Sequence, residues 1–112
     1  SKLTLSELMG YLVRNPVRGA IAIALLDQRT MNRRDLITTV RSRLKSLTTL
    51  KRKIISDAPT IVEELTNLET TGIIETFQKE GVQCYHLTEK GQEVAEIAMA
   101  PLPISEKVSD KA

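Results

Sequence analysis

The sequence predicts a mostly α-helical fold carrying one small antiparallel β-hairpin. Three observations predict it. Apolar residues recur at three- and four-residue spacing in successive blocks from Leu5 to Leu68 and again after Thr88. Two short segments rich in β-formers, Ile73 to Gln78 and Val82 to Leu87, flank Lys79-Glu80-Gly81, a turn signal. The chain has 112 residues, 41% of them apolar, which suits one domain with one packed interior. Only 3% are aromatic, so that interior must be aliphatic. An aromatic ligand cage or base-stacking platform is not expected.

Each element has a local cause. Leu5, Leu8, Met9 and Leu12 give a short helix over 5–14, which Asn15-Pro16 interrupts. Pro16 suits the first turn of the next helix, 16–27, because its missing N–H has no partner to lose there. Val17, Ala20, Ile21, Ala24 and Leu25 fall on one face, and Ile23 and Leu26 widen it. A helix so apolar belongs at the centre of the domain. Asn32 and Asp35 resemble a capping box with a shorter acid. The helix they open buries Leu36, Ile37, Val40, Leu44, Leu47 and Ile54, and extends well past Arg43. A break at 46–49 is the competing expectation, since the Thr48-Thr49 pair lowers helix propensity. Ser56 or Asp57 caps a helix over 57–71, Pro59 fits its first turn, and Gly72 ends it in the left-handed conformation. After the hairpin, Thr88 caps a last helix through about Met99, which Pro101 and Pro103 end. One domain over 1–100 and a flexible polar tail over 101–112 are expected.

The net charge of +2 hides an asymmetry. Arg29, Arg33, Arg34, Arg41, Arg43, Lys45, Lys51, Arg52 and Lys53 face one acid, Asp35, so residues 29–53 carry +8. Residues 57–96 carry −7. A concentrated basic block seeks phosphate, an anionic surface or an acidic partner. Within it Arg34, Arg41, Lys45 and Arg52 form one helical stripe, flanked by Lys51 and Lys53.

A more specific signal lies in three segments. "PTIVEELTNLETTGIIE", starting at Pro59, looks like the second helix of a helix-turn-helix unit running into a hairpin. "YHLTEKGQEVAEIA", Tyr85 to Ala98, resembles the strand-to-helix exit of the same proteins, and "RNPVRGAIAIALL", Arg14 to Leu26, their first core helix. Together they resemble the winged helix-turn-helix regulators of prokaryotes, broadly the ArsR, MarR and PadR type, over residues 14–98. The resemblance implies a winged helix-turn-helix fold with its wing at about 73–87. It also implies a homodimer that binds double-stranded DNA as a transcriptional regulator. Flanking helices 5–14 and 89–99 would form the dimer, with Val94, Ile97 and Ala98 continuing an apolar stripe.

Two departures stand out. An insertion of about 13 residues, Arg43 to Ile55, precedes the recognition helix, where a tight turn is usual. That helix also has no Lys or Arg, and its expected outward face is Asp57, Thr60, Glu63, Glu64, Asn67 and Thr71. Two glutamates between phosphate rows are repelled unless each accepts a hydrogen bond from a cytosine amino group. The basic segment resolves the conflict if it supplies the phosphate contacts: Arg33, Arg34, Arg41, Arg43, Lys45, Lys51, Arg52 and Lys53. Thr60 and Asn67 are the candidate base readers, and Gln78 and Lys79 the candidate wing contacts. The competing reading is an interaction module whose acidic helix 57–71 binds a basic partner. Membrane-surface binding ranks behind both, because the stripe lacks Trp or Phe anchors.

No catalytic residue, cofactor or metal is expected. Cys84 and His86 share a strand face, but two ligands do not make a zinc site. One cysteine gives no disulfide, and five scattered glycines give no phosphate loop. The longest apolar run, Ala20 to Leu26, is far short of the roughly 20 residues a bilayer requires. The cytoplasm is the expected compartment.

Overall fold

The computed structural model describes residues 3–47 and 57–99. The 46–49 break, the core position of Ile54, the stripe positions Lys51, Arg52 and Lys53, and the 101–112 tail fall wholly or partly outside the described residues. Five helices and three strands follow in the order α1 (Leu5–Val13), α2 (Pro16–Gln28), β1 (Met31–Asn32), α3 (Arg33–Leu47), α4 (Ala58–Thr71), β2 (Ile74–Lys79), β3 (Val82–Leu87) and α5 (Glu89–Met99). No helix among the described residues is long and apolar enough to cross a membrane.

Side-chain caps set most helix starts. Thr4 and Glu7 form a reciprocal capping box on α1. The Asn15 carboxamide oxygen accepts from Val17 N at 2.8 Å ahead of Pro16. Asn32 and Asp35 exchange bonds of 2.8 and 3.2 Å at the start of α3, as the sequence suggested. Thr88 Oγ1 accepts from Gly91 N at 2.9 Å and opens α5. Helix α4 ends at Gly72, with φ of 83°. Gly72 N–H donates to the Glu69 carbonyl and Ile73 N–H to the Leu68 carbonyl, the paired bonds of a Schellman motif.

The expected hairpin is one part of a three-stranded antiparallel sheet, ordered β1-β3-β2. Strand β1 is too short for an alternating pattern, so periodicity does not reveal it. It pairs Met31 with Tyr85 and Asn32 with Cys84. Strands β2 and β3 pair from Ile74 opposite Leu87 to Lys79 opposite Val82. Their two-residue turn, Glu80-Gly81, has φ of 52° and 80°. Positive values at both positions mark a turn whose twist matches the strands.

Met31, Ile74, Tyr85 and Leu87 line the inner face of the sheet and join an aliphatic core with Leu8, Leu12, Ile21, Leu25, Leu36, Leu44, Ile61, Leu65 and Leu68. Helix α2 runs through the centre and packs against α1, α3, α4, α5 and β3. Val94 of α5 is wholly buried in this core, while Ile97 is exposed. The expected apolar stripe of α5 is therefore divided between core and surface. Cys84 is buried on the other sheet face, beside Phe77 and His86.

The exit from β3 is the tightest part of the fold. Thr88 N–H donates to the Ile73 carbonyl, and its hydroxyl reaches the Gly72 carbonyl at 2.6 Å. Gly91 is buried with that same Ile73 carbonyl where its Cβ would be. Gly91→Ala therefore forces backbone apart and is expected to cost about 1–3 kcal/mol. Gly10 meets nothing within 4 Å, so Gly10→Ala in α1 is expected to be neutral or stabilising by about 0.5–1 kcal/mol. Urea unfolding of both variants checks this; equal stabilities would contradict it.

Candidate nucleic-acid interface

Helix α3 carries the basic side chains in two groups. At 100° per residue Arg34, Arg41 and Lys45 lie within about 40° of one another, and all three are exposed. Exposed hydroxyls of Thr38 and Ser42 lie beside them. Arg43 is also exposed but about 180° from Arg34, on the other flank. The phosphate-contact set read from the sequence is thus not one surface. Arg33, at the helix start, donates from Nε to the Tyr85 hydroxyl at 3.1 Å and anchors α3 to β3.

Helix α3 packs against α4, and Arg41 of the row acts electrostatically on Asp57 at the start of α4. Asp57 caps that helix, accepting from Thr60 N at 3.3 Å and from the Thr60 hydroxyl at 2.8 Å. The hydroxyl bond is the main reason its carboxyl titrates below the usual value, and the positive charge of Arg41 adds to it. Among the described residues the salt bridges are Arg18–Glu64 and His86–Glu75. Arg34, Arg41 and Lys45 are in neither.

The outward face of α4 differs from the expected one. Glu64, expected outside, is 8% exposed. Its carboxylate accepts from Arg18 Nε at 2.8 Å, Asn67 Nδ2 at 3.2 Å and Asn15 Nδ2 at 3.4 Å. Arg18 also donates to the Tyr11 carbonyl and stacks 3.7 Å above the Tyr11 ring. The reason is helical geometry. Ile61, Leu65 and Leu68 centre the buried face, and Glu64 lies at its edge, within reach of α2. Thr60, Asn67 and Thr71 are half-buried, with Thr60 bound to Asp57 and Asn67 to Glu64.

Pro59, Glu63, Thr66, Glu69 and Thr70 are the exposed residues of α4. Sequence reasoning missed Thr66 and Thr70. The available signal was the direction opposite Ile61, Leu65 and Leu68 at 100° per residue, which lies between Glu63 and Thr70.

At the hairpin, Gln78 and Lys79 are exposed at the end of β2 next to Glu80. On the outer sheet face His86 Nε2 lies 2.9 Å from the Glu75 carboxylate and edge-on to Phe77, with ring centroids 5.1 Å apart. His86 thus has a carboxylate partner, and Cys84 is a buried free thiol. Among the described residues no three His, Cys, Asp or Glu side chains converge on a point that would hold a metal ion.

Comparison with protein-family models finds no match to the chain, and comparison with curated proteins finds none either.

The Glu64 cluster makes a testable demand. Removing one partner of a part-buried pair leaves the other charge uncompensated, so Glu64→Ala is expected to cost about 2 kcal/mol or more. Glu63→Ala, one residue away on the exposed face, should stay within about 0.5 kcal/mol. Thermal unfolding of both variants decides it; similar small losses would remove Glu64 from its structural role.

Proposed function

We propose that this chain is a winged helix-turn-helix protein that binds double-stranded DNA as a transcriptional regulator. The observation that carries the reading is the exposed row Arg34, Arg41 and Lys45, outside the salt bridges of the described residues, with Arg41 acting on Asp57 at the start of α4. An exposed cationic row beside a helix start suits a ligand with regularly spaced phosphates. The arrangement of α2, β1, α3, α4 and the β2–β3 hairpin, with sheet order β1-β3-β2, is compatible with a winged helix in which α4 is the recognition helix and Glu80-Gly81 the wing tip. Burial of Glu64 supports the reading as well. It removes one of the two glutamates that would oppose phosphate and leaves Glu63 at the centre of the face.

The reading includes a two-fold dimer that spans half-sites about one DNA turn apart. Helices α1 and α5 pack together, and exposed Val13 and Ile97 are apolar side chains on that pair. An interaction module with a basic partner fits less well, because such a partner would meet the cationic row of α3 beside α4.

The test is fluorescence anisotropy of a duplex of arbitrary sequence across a salt series. Wild type should show affinity falling steeply with salt. Changing Arg34, Arg41 and Lys45 together to Ala should flatten the log–log slope by about three units for three phosphate contacts. An unchanged slope moves the contacts elsewhere, and no binding at low salt rejects the function.

A further inference from the structure

We propose that α4 reads DNA by accepting hydrogen bonds from the exocyclic amino groups of cytosine and adenine, with Glu63 as its specificity-determining residue. This rests on the DNA-binding reading above and names what the helix recognises.

The side-chain hydroxyls of α4 donate within the helix and its cap. Thr60 donates its hydroxyl proton to Asp57 Oδ1 at 2.8 Å, Thr66 to the Val62 carbonyl at 3.3 Å, Thr70 to the Thr66 carbonyl at 3.0 Å, and Thr71 to the Leu68 carbonyl at 3.0 Å. Asn67 donates from its amide to Glu64 at 3.2 Å. From Asp57 to Thr71 there is no Lys or Arg. The outer face therefore offers oxygen acceptors: the Glu63 carboxylate at its centre, and the Thr66 and Thr70 oxygens along the same side. Of the remaining acids, Asp57 is engaged as the N-cap and Glu69 lies on the flank.

A surface of acceptors needs a ligand with donors. In the major groove cytosine N4 and adenine N6 are donors, whereas guanine N7 and O6 are acceptors. A carboxylate meeting guanine is desolvated without a partner, so Glu63 discriminates by rejection as much as by attraction. The neighbouring cations of α3 select among donor-bearing ligands. A Lys- or Arg-rich peptide satisfies α4 but is repelled by Arg34, Arg41 and Lys45. Duplex DNA presents amino groups in a groove bordered by phosphates, and so satisfies both surfaces.

The experiment is selection by the full chain from a pool of duplexes with a randomised central segment. The selected duplex is then remade with N4-methylcytosine or N6-methyladenine at single positions. In a paired base the methyl group replaces the N–H that faces the major groove. At a contacted base, methylation should weaken binding about tenfold. Glu63→Ala should relax base preference at one position of the selected sequence. Three results would overturn the inference and leave DNA binding intact: no enriched sequence, indifference to methylation at every position, or an unchanged selected sequence for Glu63→Ala. Failure to bind any duplex overturns the function and this inference together. Capture of an oligolysine peptide without duplex binding does the same and gives the face to a protein partner.

Discussion

The ion pair between Arg18 and Glu64 determines what α4 presents to solvent. A carboxylate at the edge of a buried face has two options: turn outward or acquire partners. Here α2 supplies Arg18, the α1–α2 junction supplies Asn15, and α4 itself supplies Asn67. Arg18 is held in turn by the Tyr11 carbonyl and ring. The cluster ties α1, α2 and α4 together and secures the rotation of α4 that its apolar face selects. It also orients the Asn67 amide and leaves Glu63 as the acid at the centre of the outer face.

The same rotation is fixed at the other end of α4. Gly72 reverses the chain in the left-handed conformation, and Ile73 places its carbonyl against Thr88 and Gly91. One peptide thus joins the end of α4 to the start of α5. Because this contact is made by backbone, a side chain at position 91 would force the two segments apart. The hairpin leaves from this junction, so its direction relative to α4 follows from the same atoms.

The sequence discloses most of the elements because their causes are local. Asn15-Pro16, Asn32 with Asp35, Asp57, Gly72 and Thr88 are boundary residues whose chemistry acts within a few positions. Strand β1 was not legible, since two residues paired to a distant strand carry no period. The placement of Glu64 was not legible for a related reason. Its partner Arg18 is 46 residues away, and polarity alone assigns a glutamate to the surface. Helical spacing alone placed Arg34, Arg41 and Lys45 in one row, whereas the bond from Arg33 to the Tyr85 hydroxyl, 52 residues away, had no local signal. Charge counts give a region; helical angles and burial are needed to give a face.

The most direct test of the account is a map of the bound surface by amide chemical-shift changes on adding duplex DNA. The account predicts changes concentrated on the Arg34, Arg41, Lys45 side of α3, the first turns of α4 and the hairpin tip, with the Arg43 flank unaffected. Changes confined to α1 and α5, or none at all, would contradict it.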